Sequence, residues 1–210
     1  MTSKWDDYIE ARSSGLKIKW KPLLAEQLGY IADLGEKEKK VYLEELCHQY
    51  FDLGKTQIPI QEPAIWDAIL VLWKDRLSWN DEQLLLWIVK SISFKGTYQL
   101  LEKDPRELLR RILALNPGKL EAKTLLFEEL LDILDFAMHS IDTGMLIDKS
   151  VGEAVICECE VLLAGEPDLK LCKTRFGGDF AYYKNRFLAG YDYSRVETDL
   201  SFDEWYNSTI

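Results

Sequence analysis

The sequence predicts an all-α fold: an irregular, helical-repeat-like stack of about nine antiparallel helices with no substantial sheet. Three observations lead there. Apolar residues recur at helical spacing along most of the 210 residues. Glycine, proline and capping residues interrupt that pattern at short intervals, and short connections favour antiparallel neighbours. No alternating apolar and polar run is long enough to demand a strand pair.

The elements follow in order. "KWDDYIEARS" reads as a short first helix. "KPLLAEQLGYIADLG" has Pro22 near its start and Gly35 past its end, the expected asymmetry for a helix. "EKEKKVYLEELCHQYFDLG" places Val41, Leu43, Leu46, Tyr50 and Leu53 near helical spacing and stops at Gly54. "TQIPIQEP" is the one extended stretch, and its two prolines make it a connector. "AIWDAILVLWKDRL" and "SWNDEQLLLWIVKSI" are helices, the second with Asn80 as its cap and acids in its first turn. In "KDPRELLRRILAL", Asp104 suits a cap and Pro105 a first turn. A long helix is expected from Lys119 to about Ile141. "VGEAVICECEVLLAG" ends at Gly165, and "RFGGDF" breaks the chain with Asp179 as the next cap. "DFAYYKNRFLAG" and "SFDEWYNS" complete the set. The whole is read as a single domain, with a possible subdivision near 55–62 and an acidic, aromatic-rich part over 119–210.

The segment "ILALNPGKLEAKTLL" resembles the junction between tetratricopeptide repeat units, in which one hairpin ends at an Ala-Leu-x-Leu-x-Pro stretch and Glu-Ala opens the next helix. The resemblance covers about 15 residues. It implies stacked helical hairpins and a scaffold role toward other proteins.

Hydrophobic residues make up 47% of the chain and charged residues 30%, an ordinary balance for a folded protein. The first residues show no apolar leader, and "AILVLW" and "LLLWIV" are too short to span a bilayer. A cytoplasmic protein is expected. Cys47, Cys157, Cys159 and Cys172 lack the paired spacing of a zinc site and read as small apolar residues. Glu45 and His48 form one Glu-x-x-His pair, but no second such pair exists for a di-metal bundle. No phosphate-loop, dinucleotide or nucleophile-elbow motif occurs. The expectation is a non-enzymatic protein with no catalytic residue, no metal and no cofactor.

Charge is unevenly placed. Residues 1–60 hold 9 basic and 10 acidic groups, residues 61–118 hold 8 and 8, and residues 119–210 hold 9 and 18. Almost all of the net −10 therefore lies in the last part. That sign argues against nucleic acid and membrane surfaces as partners and toward a cationic protein.

The acids concentrate on one stretch, "FEELLDILDFAMH". On a helix, Glu121, Glu128, Asp132, Asp135 and His139 share a sector of about 60°. Leucine, isoleucine and phenylalanine occupy the rest of the circumference, so this helix is expected to be central, with one polar seam. A second acidic and aromatic group lies at the C-terminus: Tyr191, Tyr193, Asp199, Asp203, Glu204 and Trp205. Aromatic anchors among acids suit a protein interface. These residues are the candidate partner-binding set. The concrete expectation is a bacterial immunity-type protein that neutralises a basic toxin, such as a nuclease, by occlusion. The alternatives are a tetratricopeptide-like scaffold or chaperone for peptides, and an enzyme that uses carboxylates or a metal on the 128–139 seam.

Overall fold

The computed structural model describes residues 5–76, 80–97, 104–173 and 177–209. Among these residues there are ten α-helices and no strand. The chain divides into two compact units, Met1–Leu108 and Leu109–Ile210. The connector at 55–62 lies inside the first unit, where it buries Ile58 and Ile60.

The first unit holds α1 (Asp6–Ser13), α2 (Lys17–Asp33), α3 (Glu36–Cys47), α4 (Pro63–Arg76) and α5 (Glu82–Lys90). Helix α1 packs on α2 through Tyr8, whose ring meets Trp5 and Trp20 edge-on at 5.6 and 6.2 Å. Helix α2 begins a turn earlier than expected from Pro22, which sits inside it. A proline in the second turn gives up its own amide bond and crowds the carbonyl four residues before it, so α2 carries Pro22 at a cost. Gly35 is the N-cap residue of α3, and Asp81, not Asn80, caps α5 by accepting from the Leu84 amide at 3.0 Å.

Helix α3 runs directly into one turn of π-helix, His48–Asp52. That turn sets Tyr50 and Phe51 against Phe94, with ring centroids 6.1 and 6.2 Å away. Trp66 completes this aromatic cluster at 5.1 Å from Phe94 and donates its indole N–H to the Lys95 carbonyl at 2.7 Å. Helix α5 is buried from Leu84 to Val89 without interruption. A helix that is apolar all round can only be an interior one.

Helix α6 (Pro105–Leu115) contains the boundary between the units and opens as expected, with the Asp104 carboxylate accepting from the Arg106 amide at 2.9 Å. The second unit continues with α7 (Leu120–Ala137), α8 (Lys149–Gly165), a 3₁₀ segment (Pro167–Leu171), α9 (Phe180–Tyr193) and α10 (Phe202–Thr209). Its core is α7 packed on α8 and α9. The inner side of α7 supplies Leu126, Phe127, Leu130, Leu131 and Leu134, all buried. Helix α9 starts at the expected cap: the Asp179 carboxylate accepts from the Tyr182 amide at 3.0 Å.

Helices α8 and α9 meet where Gly152 faces the Phe187 ring. A Cβ at position 152 would fall 1.8 Å from that ring, so only glycine permits the approach. Gly152→Ala is therefore expected to cost about 1–3 kcal/mol through overpacking. Urea unfolding measures the loss, and adding Phe187→Leu should recover part of it, as two residues in direct contact couple.

Candidate functional site

Helix α7 turns most of its circumference inward, so its charges have little surface left to occupy. Glu121, Glu128 and Asp132 are exposed along one line. Asp135 is half-buried and lines a shallow hollow of about 450 Å³ with Gly177, Gly178, Asp179, Tyr182 and Tyr183. The structure therefore brings together four of the five seam residues expected from angular spacing. His139 departs from the ladder. The helix ends at Ala137 with Met138 as its C-cap, and His139 lies exposed in the following turn. The cause is tertiary as well as local. The turn runs through Thr143 and Gly144, whose amides bond to the Ser140 carbonyl, and it presents Asp142 to accept from the Phe202 amide at 2.6 Å.

The seam also carries an apolar residue that angular reading put on the packed side. Phe136, one turn beyond Asp132, is 58% exposed. Acid and aromatic thus share one accessible strip. Lys123, which points away from the strip, is held by Glu166 at 2.8 Å. Glu128 has its carboxyl raised above the usual range, first by partial burial and then by the charge of Asp132 one turn away. Its own charge acts in turn on Cys172, whose thiol is raised mainly by burial. The middle of the seam therefore lies beside the end of the 3₁₀ segment.

The C-terminal candidates are arranged differently. Arg186 lies beneath a set of rings, its guanidinium 4.8 Å from Phe202, 5.1 Å from Tyr182 and 5.6 Å from Tyr206. Asp203 closes the set with an ion pair to Arg186 at 2.5 Å. Glu204 accepts from the Ser201 hydroxyl and amide at 2.7 and 2.9 Å, a capping box that lowers its pKa. The Tyr193 hydroxyl donates to the Leu200 carbonyl at 2.8 Å, and its ring packs on Trp205 at 5.5 Å. The Tyr191 hydroxyl donates to the Ile147 carbonyl. Asp199 is exposed. Most of this group is thus engaged within the second unit. Phe176, the first aromatic of that region, lies outside the described residues.

A further constellation escaped sequence reasoning. Asp52 accepts from His48 Nδ1 at 2.8 Å, from the Gln83 amide at 2.9 Å and from the Trp87 indole at 3.0 Å, with Lys90 Nζ at 3.8 Å. Lys90 also donates to the Phe51 carbonyl at 2.8 Å. The aspartate clamps the π turn to α5, and His48 is oriented by it on the surface. The Glu-x-x-His pair does not converge, because Glu45 accepts from Gln49 at 2.8 Å instead. Among the described residues no group of three or more His, Cys, Asp and Glu is placed to hold a metal ion. All four cysteines are free thiols; Cys159 is buried, its pKa pushed up to about 12, whereas Cys157 is exposed. No helix among the described residues is long and apolar enough to cross a membrane.

No protein-family model, no curated protein and no solved structure matches the chain.

Two outcomes follow from this geometry. Asp52→Ala strands the buried Trp87 indole N–H and unties the π turn, so a loss of about 2–3 kcal/mol is expected in urea unfolding followed by tryptophan fluorescence. For Glu128, a folded-state pKa above the unfolded one means that ionisation opposes folding. The penalty is absent below the unfolded value and complete once pH rises through the folded one. Glu128→Gln should therefore raise the unfolding midpoint at neutral pH, and the gain should vanish below about pH 4.

Proposed function

We propose that the chain is a protein-binding module whose second unit takes a basic protein partner. Its most concrete form is a bacterial immunity-type protein that covers a cationic toxin such as a nuclease. The observation that carries this reading is the accessible strip of α7, where Glu121, Glu128 and Asp132 lead to the exposed ring of Phe136. The strip belongs to a unit with 11 basic and 18 acidic residues. Carboxylates steer a cationic surface into encounter, and a projecting aromatic supplies apolar contact once the partner has arrived. Inhibition is by occlusion and requires no chemistry from the binder. Short connections such as Leu34–Gly35 between α2 and α3, and 116–119 between α6 and α7, support an irregular antiparallel stack as the scaffold. A cytoplasmic setting fits the four free thiols.

The test is co-purification with the products of adjacent genes, followed by association kinetics. A basic protein should be retained. The variant Glu128→Gln, Asp132→Asn, Asp135→Asn should remain folded and associate about tenfold more slowly or worse at low salt, with the difference shrinking as salt rises. Recovery of no basic protein from the neighbourhood sinks the toxin-neutralising form. Unfolding of the triple variant would show the seam to be internal and remove the basis of the reading.

A further inference from the structure

The chain is acidic as a whole, yet one place on it has the opposite sign. From Ala11 to Ala25 there are four basic residues and no carboxylate. This stretch is the end of α1, the Ser14–Leu16 turn and the first two turns of α2. Gly15 forms the tight part of the turn with φ of +72°.

The side chains there are sorted by direction. Trp20 faces α1, where it meets Tyr8 and lies under the Arg12 guanidinium at 5.1 Å. Ile18 points the other way, about 160° around the helix from Trp20. Lys17 and Lys21 fall on one side of it and Lys19 on the other, each about 60–100° away. All three lysines are exposed, and among the described residues none has an ion pair. Ile18 is 83% exposed, the highest of any large apolar side chain described, and Leu16 beside it is 51% exposed. Pro22, Ala25, Gly29 and Ala32 continue the middle of the same outward side, with the exposed Glu26 and Asp33 along its edge. The exposed Glu10 and Glu26 bound the stretch at its two ends, and Glu62 shares a hollow with Arg12 and Ser13 on the α1 side.

This arrangement costs the fold something. Lysines in a first turn oppose the helix dipole, and α2 has neither an acid there nor a side-chain cap. An isoleucine held in water inside a ring of lysines stabilises nothing within the unit. The same arrangement is favourable at one kind of surface: lysines pair with anionic headgroups while the aliphatic side chain enters the boundary below them. A projecting apolar tip needs a pocket to dock on a protein, whereas a bilayer yields to it. The whole-chain charge does not forbid the contact, because screening confines each charge to about 8 Å at physiological salt.

We propose that the α1–α2 turn docks the protein on an anionic lipid surface, with Ile18 and Leu16 inserted and Lys17, Lys19 and Lys21 on the headgroups. The expectation that membranes are excluded as partners rests on total charge, and the local sign reverses it here.

The experiment is flotation of the full chain with vesicles of phosphatidylcholine alone or with about one-third phosphatidylserine. Retention is expected on the anionic vesicles at low salt, with little on neutral ones and a steep fall as salt rises. Replacing Lys17, Lys19 and Lys21 together by Gln should lower partitioning on the order of 100-fold, about fivefold per lysine. Ile18→Ser should weaken it too and leave the circular dichroism unchanged, since this side chain packs on nothing. Absence of retention at low salt overturns the proposal, as does equal retention of the triple-lysine variant or of neutral vesicles. Binding of duplex RNA through the same lysines, without vesicle retention, would also overturn it and assign the patch to nucleic acid.

Discussion

Helix α7 can carry charge only where it does not bury apolar surface, and this constraint shapes the second unit. Five large apolar side chains from Leu126 to Leu134 form the floor on which α8 and α9 rest. Each buries surface worth about 1.5–3 kcal/mol, so rotating the helix to hide its acids would forfeit more than any acid pair repels. Glu121, Glu128 and Asp132 are thereby confined to one strip, and they repel one another along it. The raised carboxyl of Glu128 reflects its partial burial first and the neighbouring charge of Asp132 second. A strip of this kind is poorly explained by stability alone, which strengthens the case for a partner that brings positive charge.

Several other acids of the second unit serve the fold directly. Glu158 forms a bidentate pair with Arg110, Glu160 meets Lys184, and Asp203 meets Arg186. Asp142, Asp179 and Glu204 satisfy backbone or hydroxyl donors at helix ends. A capping carboxylate does a definite structural task, for which substitution typically costs about 1 kcal/mol. Acidic composition therefore overstates the acidic surface on offer to a partner. The C-terminal aromatics show the same economy: Tyr191 and Tyr193 direct their hydroxyls to the chain's own carbonyls, and their rings sit in a cluster.

What the sequence made legible was what depends on neighbours a few residues away. Helical period predicted the all-helical class and about nine helices where the described residues hold ten, Asp104 and Asp179 announced two of their starts, and the angular spacing of Glu121, Glu128 and Asp132 predicted a shared face. What stayed hidden depends on distant partners. Asp52 meets residues 31 to 38 positions away, so the clamp on the π turn has no local signature. His139 leaves the ladder in a turn whose Asp142 serves Phe202, 60 residues on. Phe136 sits on an apolar-looking stretch, and only the packing of α8 and α9 decides that it is left in water. Pro22 misplaced the start of α2 because a proline within the second turn resembles one at the first.

Total charge is a poor guide to how such a chain meets its surroundings. An 18-residue helix such as α7 is about 27 Å long, several screening lengths at physiological salt. A partner at one point of the surface therefore senses the few side chains beneath it and little of the net −10. The chain presents two such points of opposite sign, the α7 strip in one unit and the α1–α2 turn in the other. Each pairs exposed charges with a protruding apolar side chain, Phe136 in the first and Ile18 in the second. The pairing matters physically. Charge alone gives encounter without residence, and apolar contact alone gives residence without direction. A side chain that breaks the burial rule inside a patch of uniform sign is therefore better read as part of a contact than as a packing defect. On that ground the two points are independent, and losing the charges of one should leave the other intact.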